Sequence, residues 1–154
     1  MFGATAYIRF DPKQIHITAT NRTAPFISLP HIAIEEHSDG KKIIAAIGQE
    51  AKTMIGKNRV QIVNPFDHLR LIADDFVLCE KLLIHGMRSM YGAFSFNAPS
   101  KIIFHPKKQV EGGLSDIESR FLLELASNIG GRKVAVYVGS DLSMQQVRQY
   151  RFDP

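Results

Sequence analysis

The stretch Asp74-Asp75-Phe76-Val77-Leu78-Cys79-Glu80-Lys81-Leu82-Leu83-Ile84-His85-Gly86-Met87-Arg88-Ser89-Met90-Tyr91 repeats an apolar residue every three or four positions. Phe76, Cys79, Leu83, Met87 and Met90 form one stripe, with Val77, Ile84 and Tyr91 widening it, and that period belongs to an α-helix. Asp74 or Asp75 offers a carboxylate to the first unpaired backbone amides, and Gly92 ends the element. Towards the C-terminus, Lys101 to His105 reads as a short apolar strand stopped by Pro106. Ser115-Asp116-Ile117-Glu118 is a capping box opening a second helix, in which Ile117, Phe121, Leu125 and Ile129 share a face and which Gly130-Gly131 closes. Lys133 to Val138 is a further strand, and Asp141 to about Gln149 a final polar helix beginning near Ser140. Helix, strand, helix, strand, helix requires crossover connections, and therefore a mostly parallel sheet covered by helices.

Towards the N-terminus the period changes to that of strands. Ala4 to Phe10 and Gln14 to Ala19 flank Asp11-Pro12-Lys13, the composition of a tight antiparallel turn. His31 to Glu35 supplies a third strand, and Asp39-Gly40 turns the chain into Ile43 to Ile47. Gln49 to Ile55 is a short helix closed by Gly56, with Met54 and Ile55 as packing residues, before Val60 to Val63 and the Asn64-Pro65 break. The fold class is α/β, a mixed sheet with an N-terminal antiparallel hairpin and later parallel strands flanked by helices. One domain over residues 1–154 is expected, with 1–47 its antiparallel, sheet-rich part and 48–154 the mixed helix-strand part.

Composition bounds the rest. The 154 residues, 45% hydrophobic and 22% charged, have the make-up of one ordinary globular domain and not of a disordered chain. Nineteen Lys and Arg against fifteen Asp and Glu give +4, spread along the chain without a dense tract, which permits nucleic acid without predicting it. The single cysteine, Cys79, excludes an internal disulfide framework and a Cys-rich zinc site. No apolar run is long enough to cross a bilayer and no secretory signal pattern opens the chain, so the expected location is the cytoplasm.

Chemical motifs do not assemble. There is no P-loop and no Gly-x-Gly-x-x-Gly run; Gly112-Gly113, ahead of a capped helix and near Lys107 and Lys108, fits a structural turn better than a phosphate site. The six histidines, at positions 16, 31, 37, 68, 85 and 105, show no metal-ligand spacing, and His85 and His105 read as imidazoles satisfied by local hydrogen bonds. Cys79 lies on the apolar stripe as a structural thiol, and Asp74 and Asp75 read as helix caps, not as an acid/base pair. Lys101, Lys107, Lys108, Arg132 and Lys133 form one basic region only if their loops share a sheet edge. Phe94 and Phe96 alternate as stacking residues would, but no paired RNA-binding aromatic motif accompanies them.

The order of elements carries a likeness. Ala46-Ile47-Gly48-Gln49-Glu50-Ala51-Lys52-Thr53-Met54-Ile55-Gly56-Lys57, followed by Ile72-Ala73-Asp74-Asp75-Phe76-Val77-Leu78-Cys79-Glu80-Lys81-Leu82-Leu83, resembles the first actin-like subdomain of the bacterial MreB family. Pro99 to Phe104, Ser115 to Phe121 and Gly130 to Val134 fall in the same strand, helix, strand order. The resemblance implies a ribonuclease-H-like half of an actin fold. Family members with both halves bind ATP in the intervening cleft and assemble into membrane-associated filaments, and 154 residues are too few for both halves. The family's first hairpin carries an Asp-Leu-Gly-Thr run that holds magnesium-coordinated phosphates. Here the corresponding segment is Arg9-Phe10-Asp11-Pro12-Lys13, where Arg9 stands about where the acidic residue would be and Pro12 removes a backbone donor. The resemblance aligns Asp116 and Glu118 with the family's helix that carries the water-positioning acidic group, although Glu118 already has a capping role.

The expected function is that of a non-catalytic actin-like scaffold or protein-interaction module, without a cofactor. Its partners are expected to be a second copy, as in a dimer, or a bacterial cell-shape, cytoskeletal or envelope-assembly protein. Phe94, Phe96, Lys107, Lys108, Met144 and Tyr150 are the candidate partner contacts. The alternative is a nucleotide-binding protein or ATPase completed by oligomerisation, with Arg9, Asp11, Asp116 and Glu118 at the phosphate site.

Overall fold

The computed structural model describes residues 3–67, 73–93, 97–107 and 115–151, the side chains of 73–75 excepted. In chain order the elements are β1 (Thr5–Phe10), β2 (Ile15–Ala19), β3 (Phe26–Ser28), β4 (Ile32–Glu36), β5 (Lys42–Ile47), α1 (Gln49–Lys52), β6 (Val60–Val63), α2 (Ala73–Tyr91), β7 (Lys101–Pro106), α3 (Asp116–Asn128), β8 (Lys133–Val136) and α4 (Met144–Gln149). They build a five-stranded sheet in the order β3-β2-β1-β7-β8 and a three-stranded sheet in the order β5-β4-β6. In the larger sheet β1 pairs antiparallel with β2 and parallel with β7, which pairs parallel with β8. The mixed α/β sheet is the one expected: the hairpin supplies the antiparallel strands, and the helical crossovers supply the parallel ones.

β1 is buried almost continuously because both faces of the sheet are covered. On one face Ala6, Ile8, Phe10, Ile102 and Phe104 pack with Cys79, Leu82, Leu83 and Met87 of α2 and Leu122, Leu125 and Ala126 of α3. On the other, Tyr7 and Ile103 pack with Tyr137, Leu142 and Val147, where α4 lies. A fully buried aliphatic side chain contributes roughly 1.5–3 kcal/mol, so this double layer is the main source of stability. Ile32 of β4 is fully buried in the first core, and Ile34, Ile44 and Ile47 pack against it, which ties the smaller sheet to the larger. β6, at residues 60–63, pairs with β4 to complete that smaller sheet.

Several expectations need correcting. β3 was not anticipated, since its three residues lie between two prolines. α1 stops at Lys52, and the turn after it leaves Ile55 64% exposed while Met54 packs on Ala33, Ala46 and Ala51. Val77 and Ile117 are 55% and 77% exposed, so the buried stripe of α2 centres on Cys79, Leu82, Leu83 and Met87, and that of α3 on Leu122, Leu125 and Ala126. β8 ends at Val136, and α4 starts at Met144 behind Ser143, whose hydroxyl accepts from the Gln146 amide in a capping box. The Ser115–Glu118 capping box of α3 is present as expected. Asp74 and Asp75 as caps, and Gly112-Gly113, lie outside the described side chains and residues.

Candidate functional site

Residues alternate between the two faces of a strand, so Tyr7 and Arg9 on β1, His16 on β2, and Ile103 and His105 on β7 all point to the face carrying α4. The registers Arg9↔His16 and Arg9↔His105 align three polar side chains across β2, β1 and β7. They sit near the carboxyl ends of the parallel strands, where α/β sheets gather their functional groups.

His105 is 1% exposed. The Tyr7 hydroxyl accepts from the Leu142 amide at 3.1 Å and donates to His105 Nδ1 at 2.6 Å, while His105 Nε2 donates to the Gly139 carbonyl at 2.9 Å. A carbonyl only accepts, so Nε2 carries the proton and the ring is neutral. Burial lowers the His105 pKa, as do the Lys107 and Arg9 charges, against the opposing pull of the Gly139 carbonyl and Asp141. The imidazole is flanked by the Tyr7 ring at 5.9 Å and by the edge-on Tyr137 ring at 4.8 Å. The expected satisfied histidine is therefore present, and it fastens the 139–142 segment to β1 and β7.

Around this latch lies a charge cluster. Arg9 Nη2 donates to His16 Nδ1 at 2.9 Å, and Nη1 reaches Asp141 Oδ2 at 3.4 Å. Its buried Nε has no hydrogen-bond partner among the described residues. Lys107 Nζ donates to the other oxygen of Asp141. The Lys107 hydrogen bond, reinforced by the Lys107 and Arg9 charges, lowers the Asp141 pKa. Burial and the Arg9 charge lower that of His16. Asp141 is thus the shared counter-ion of the two cations. From its sequence Asp141 reads only as the start of the last helix; the signal for its role is an acidic residue just past a parallel strand end.

The β1–β2 turn closes on itself. Asp11 Oδ1 accepts from the Lys13 amide at 2.7 Å and the Gln14 amide at 2.9 Å, and the Asp11 amide donates to the Gln14 carbonyl at 3.1 Å. Pro12 has no amide hydrogen, so all the backbone donors of residues 11–14 are taken by the turn itself. Asn64 Nδ2 donates to the Pro12 carbonyl at 2.7 Å and anchors the turn to the second sheet's last strand.

The other candidates are scattered. Asp116 is exposed in the first turn of α3, and buried Glu118 accepts from the Ser115 amide at 3.0 Å within the capping box. The crossover from β7 puts that helix start at the carboxyl edge of the sheet. Met144 is half-buried beside Arg148, and half-buried Tyr150 packs on the α4-side core with Lys133 Nζ 4.5 Å from its ring centroid. Phe94, Phe96, Lys108 and His68 lie outside the described residues. Lys101 and Lys133 begin β7 and β8 whereas Lys107 follows the end of β7, so the single basic edge does not form. His37 pairs with Glu35 at 2.9 Å, and His85 meets the Phe26 ring edge-on. Among the described residues no three His, Cys, Asp or Glu gather as a metal site, and no helix is long and apolar enough to cross a membrane.

A sequence profile described as MreB/Mbl protein matches residues 26–143. The chain belongs to the MreB/Mbl family. No curated protein matches it. Among solved structures it is similar to MreB5 of Spiroplasma citri bound to AMPPNP, at TM-score 0.69 and 15% identity, over 90% of this chain and 39% of that one. A non-polymerising MamK variant bound to AMPPNP gives TM-score 0.66 and 14% identity, over 88% of this chain and 41% of that one. The MamK double helical filament gives TM-score 0.63 and 16% identity, over 90% and 41%. At these identities the likeness shows the fold, that of an actin-like half, and the chain spans about two-fifths of the length of these MreB and MamK structures.

Proposed function

We propose that this MreB/Mbl-family chain is a non-catalytic, cytoplasmic actin-like scaffold that works through protein contacts, in cell shape, cytoskeletal or envelope assembly, and does not turn over ATP. The observation that carries this reading is the closed β1–β2 turn. A phosphate needs backbone amides aimed outward, and here Asp11 and Gln14 consume them all. Of the cations close to it, Arg9 and Lys107 are engaged by Asp141, and Lys13 belongs to the turn itself. The turn does not fit a phosphate bound directly to its backbone, because it has no free amide to donate and presents Asp11's carboxylate.

The test is thermal unfolding with and without millimolar ATP and magnesium. Binding to the native state raises the midpoint by mass action. An unchanged midpoint is expected, and a rise of several degrees overturns the reading. A second reading, nucleotide binding completed by another copy, draws on the AMPPNP and ADP bound in the MreB5 and MamK structures. It requires that midpoint rise together with a nucleotide-dependent increase in mass by light scattering.

A further inference from the structure

We propose that the cleft between β5 and α2 is a docking groove for an acidic amphipathic helix of a partner protein. The cleft has a volume of about 510 Å³ and is lined by Ile44 and Ile47 of β5 and by Lys81, Ile84, His85 and Arg88 of α2, among others. That volume suits a few apolar side chains. Ile44, Ile47 and Ile84 are half-buried, so they form an apolar floor that the fold leaves incompletely covered.

The rim identifies the occupant. Lys81, His85 and Arg88 stand at i, i+4 and i+7, on one face of α2, and all three are exposed. Neither Lys81 nor Arg88 has an ion-pair partner among the described residues, which sets them apart from Arg9 and Lys107. The one acidic group of the lining, Glu80, accepts from Asn128 Nδ2 at 3.0 Å and so faces α3 as well. Two unpaired cations seven residues apart are separated by about 10 Å along the helix. Carboxylates two turns apart on a partner helix match that spacing, with apolar residues between them entering over the isoleucines. A basic or purely apolar segment leaves the two cations uncompensated.

The proposal rests on the reading of the chain as an interaction module but uses a surface that shares no residue with the β1–β2 turn, so the two fail separately. Three labelled helix-forming peptides serve as probes for fluorescence anisotropy: Glu/Leu amphipathic, the same composition scrambled, and the amphipathic peptide with Lys for Glu. The Glu/Leu amphipathic peptide is expected to bind, to weaken with salt, and to lose up to about fivefold in affinity with Lys81→Ala or Arg88→Ala. Ile84→Glu should abolish binding. Circular dichroism on each variant is the control for folding. Absence of binding, or equal binding of the scrambled or Lys-substituted peptide, overturns the proposal. So does a dimer in light scattering that Ile84→Glu dissolves, which assigns the groove to a second copy, or anionic vesicles captured through Lys81 and Arg88 in place of the peptide. A nucleotide-dependent midpoint rise with intact peptide binding defeats the non-catalytic reading and leaves the groove standing.

Discussion

His105 shows how one buried titratable group ties local geometry to stability. It is neutral in the fold because it accepts from Tyr7 and donates to Gly139 with almost no solvent access. Its folded pKa, and that of His16, lie below the ordinary value of 6.5. In the unfolded chain both take up a proton near pH 6.5, before the native state does. Stability from these residues is therefore complete above that pH and falls as the pH drops below it towards the lower native values. Asp141, also lowered, contributes above its ordinary 3.8 and loses that contribution in a separate, more acidic window. Urea midpoints measured at about pH 7.5 and about pH 5.5 should differ in the native protein and differ less in His105→Gln. Equal differences in the two proteins count against the latch. The variant also loses roughly 1–3 kcal/mol at the higher pH, because the Tyr7 hydroxyl and Gly139 carbonyl must find new partners.

α3 was legible because three local rules agree in it: a capping box, an apolar period and a terminal glycine pair. Ser115→Ala removes the hydroxyl that accepts from the Glu118 amide, and should cost about 1 kcal/mol in chemical denaturation without changing the far-ultraviolet spectrum. A cost near zero shows that the box adds nothing to packing. α4 carries a box of the same type at Ser143 and Gln146, yet the sequence pattern puts its start three residues early, at Asp141. Asp141 looked like a helix-opening acid, and only the meeting of β1, β7 and the segment after β8 shows that it serves Arg9 and Lys107 instead. β3 escaped for a different reason. A three-residue edge strand takes its identity from pairing with β2, a long-range term that its own residues do not encode. The latch is half legible: His105 is recognisable as a satisfied histidine, but its partners Tyr7 and Gly139 lie 98 and 34 residues away.

The two sheets differ in strand order and in local packing, yet Ile32 belongs by pairing to the smaller one and by burial to the core of the larger. Its side chain is fully buried with Ile8, Phe10 and Phe66, so truncation opens a cavity beneath β1 and not only within the second sheet. Ile32→Ala is therefore expected to cost about 2–5 kcal/mol, the range for truncating a packed core aliphatic. The distribution of that loss is the informative part. If the smaller sheet is continuous with the main core, native-state hydrogen exchange should quicken at the slowest amides of β1 and α2 as well as at those of β4 and β5. If exchange rises only in β4, β5 and β6, the smaller sheet opens as its own unit and the shared core is energetically minor. The shared-core outcome also bears on the groove. Its floor, Ile44 and Ile47, packs against the same core, so a partner seated over them slows exchange in both sheets, whereas binding to an independent unit protects the smaller sheet alone.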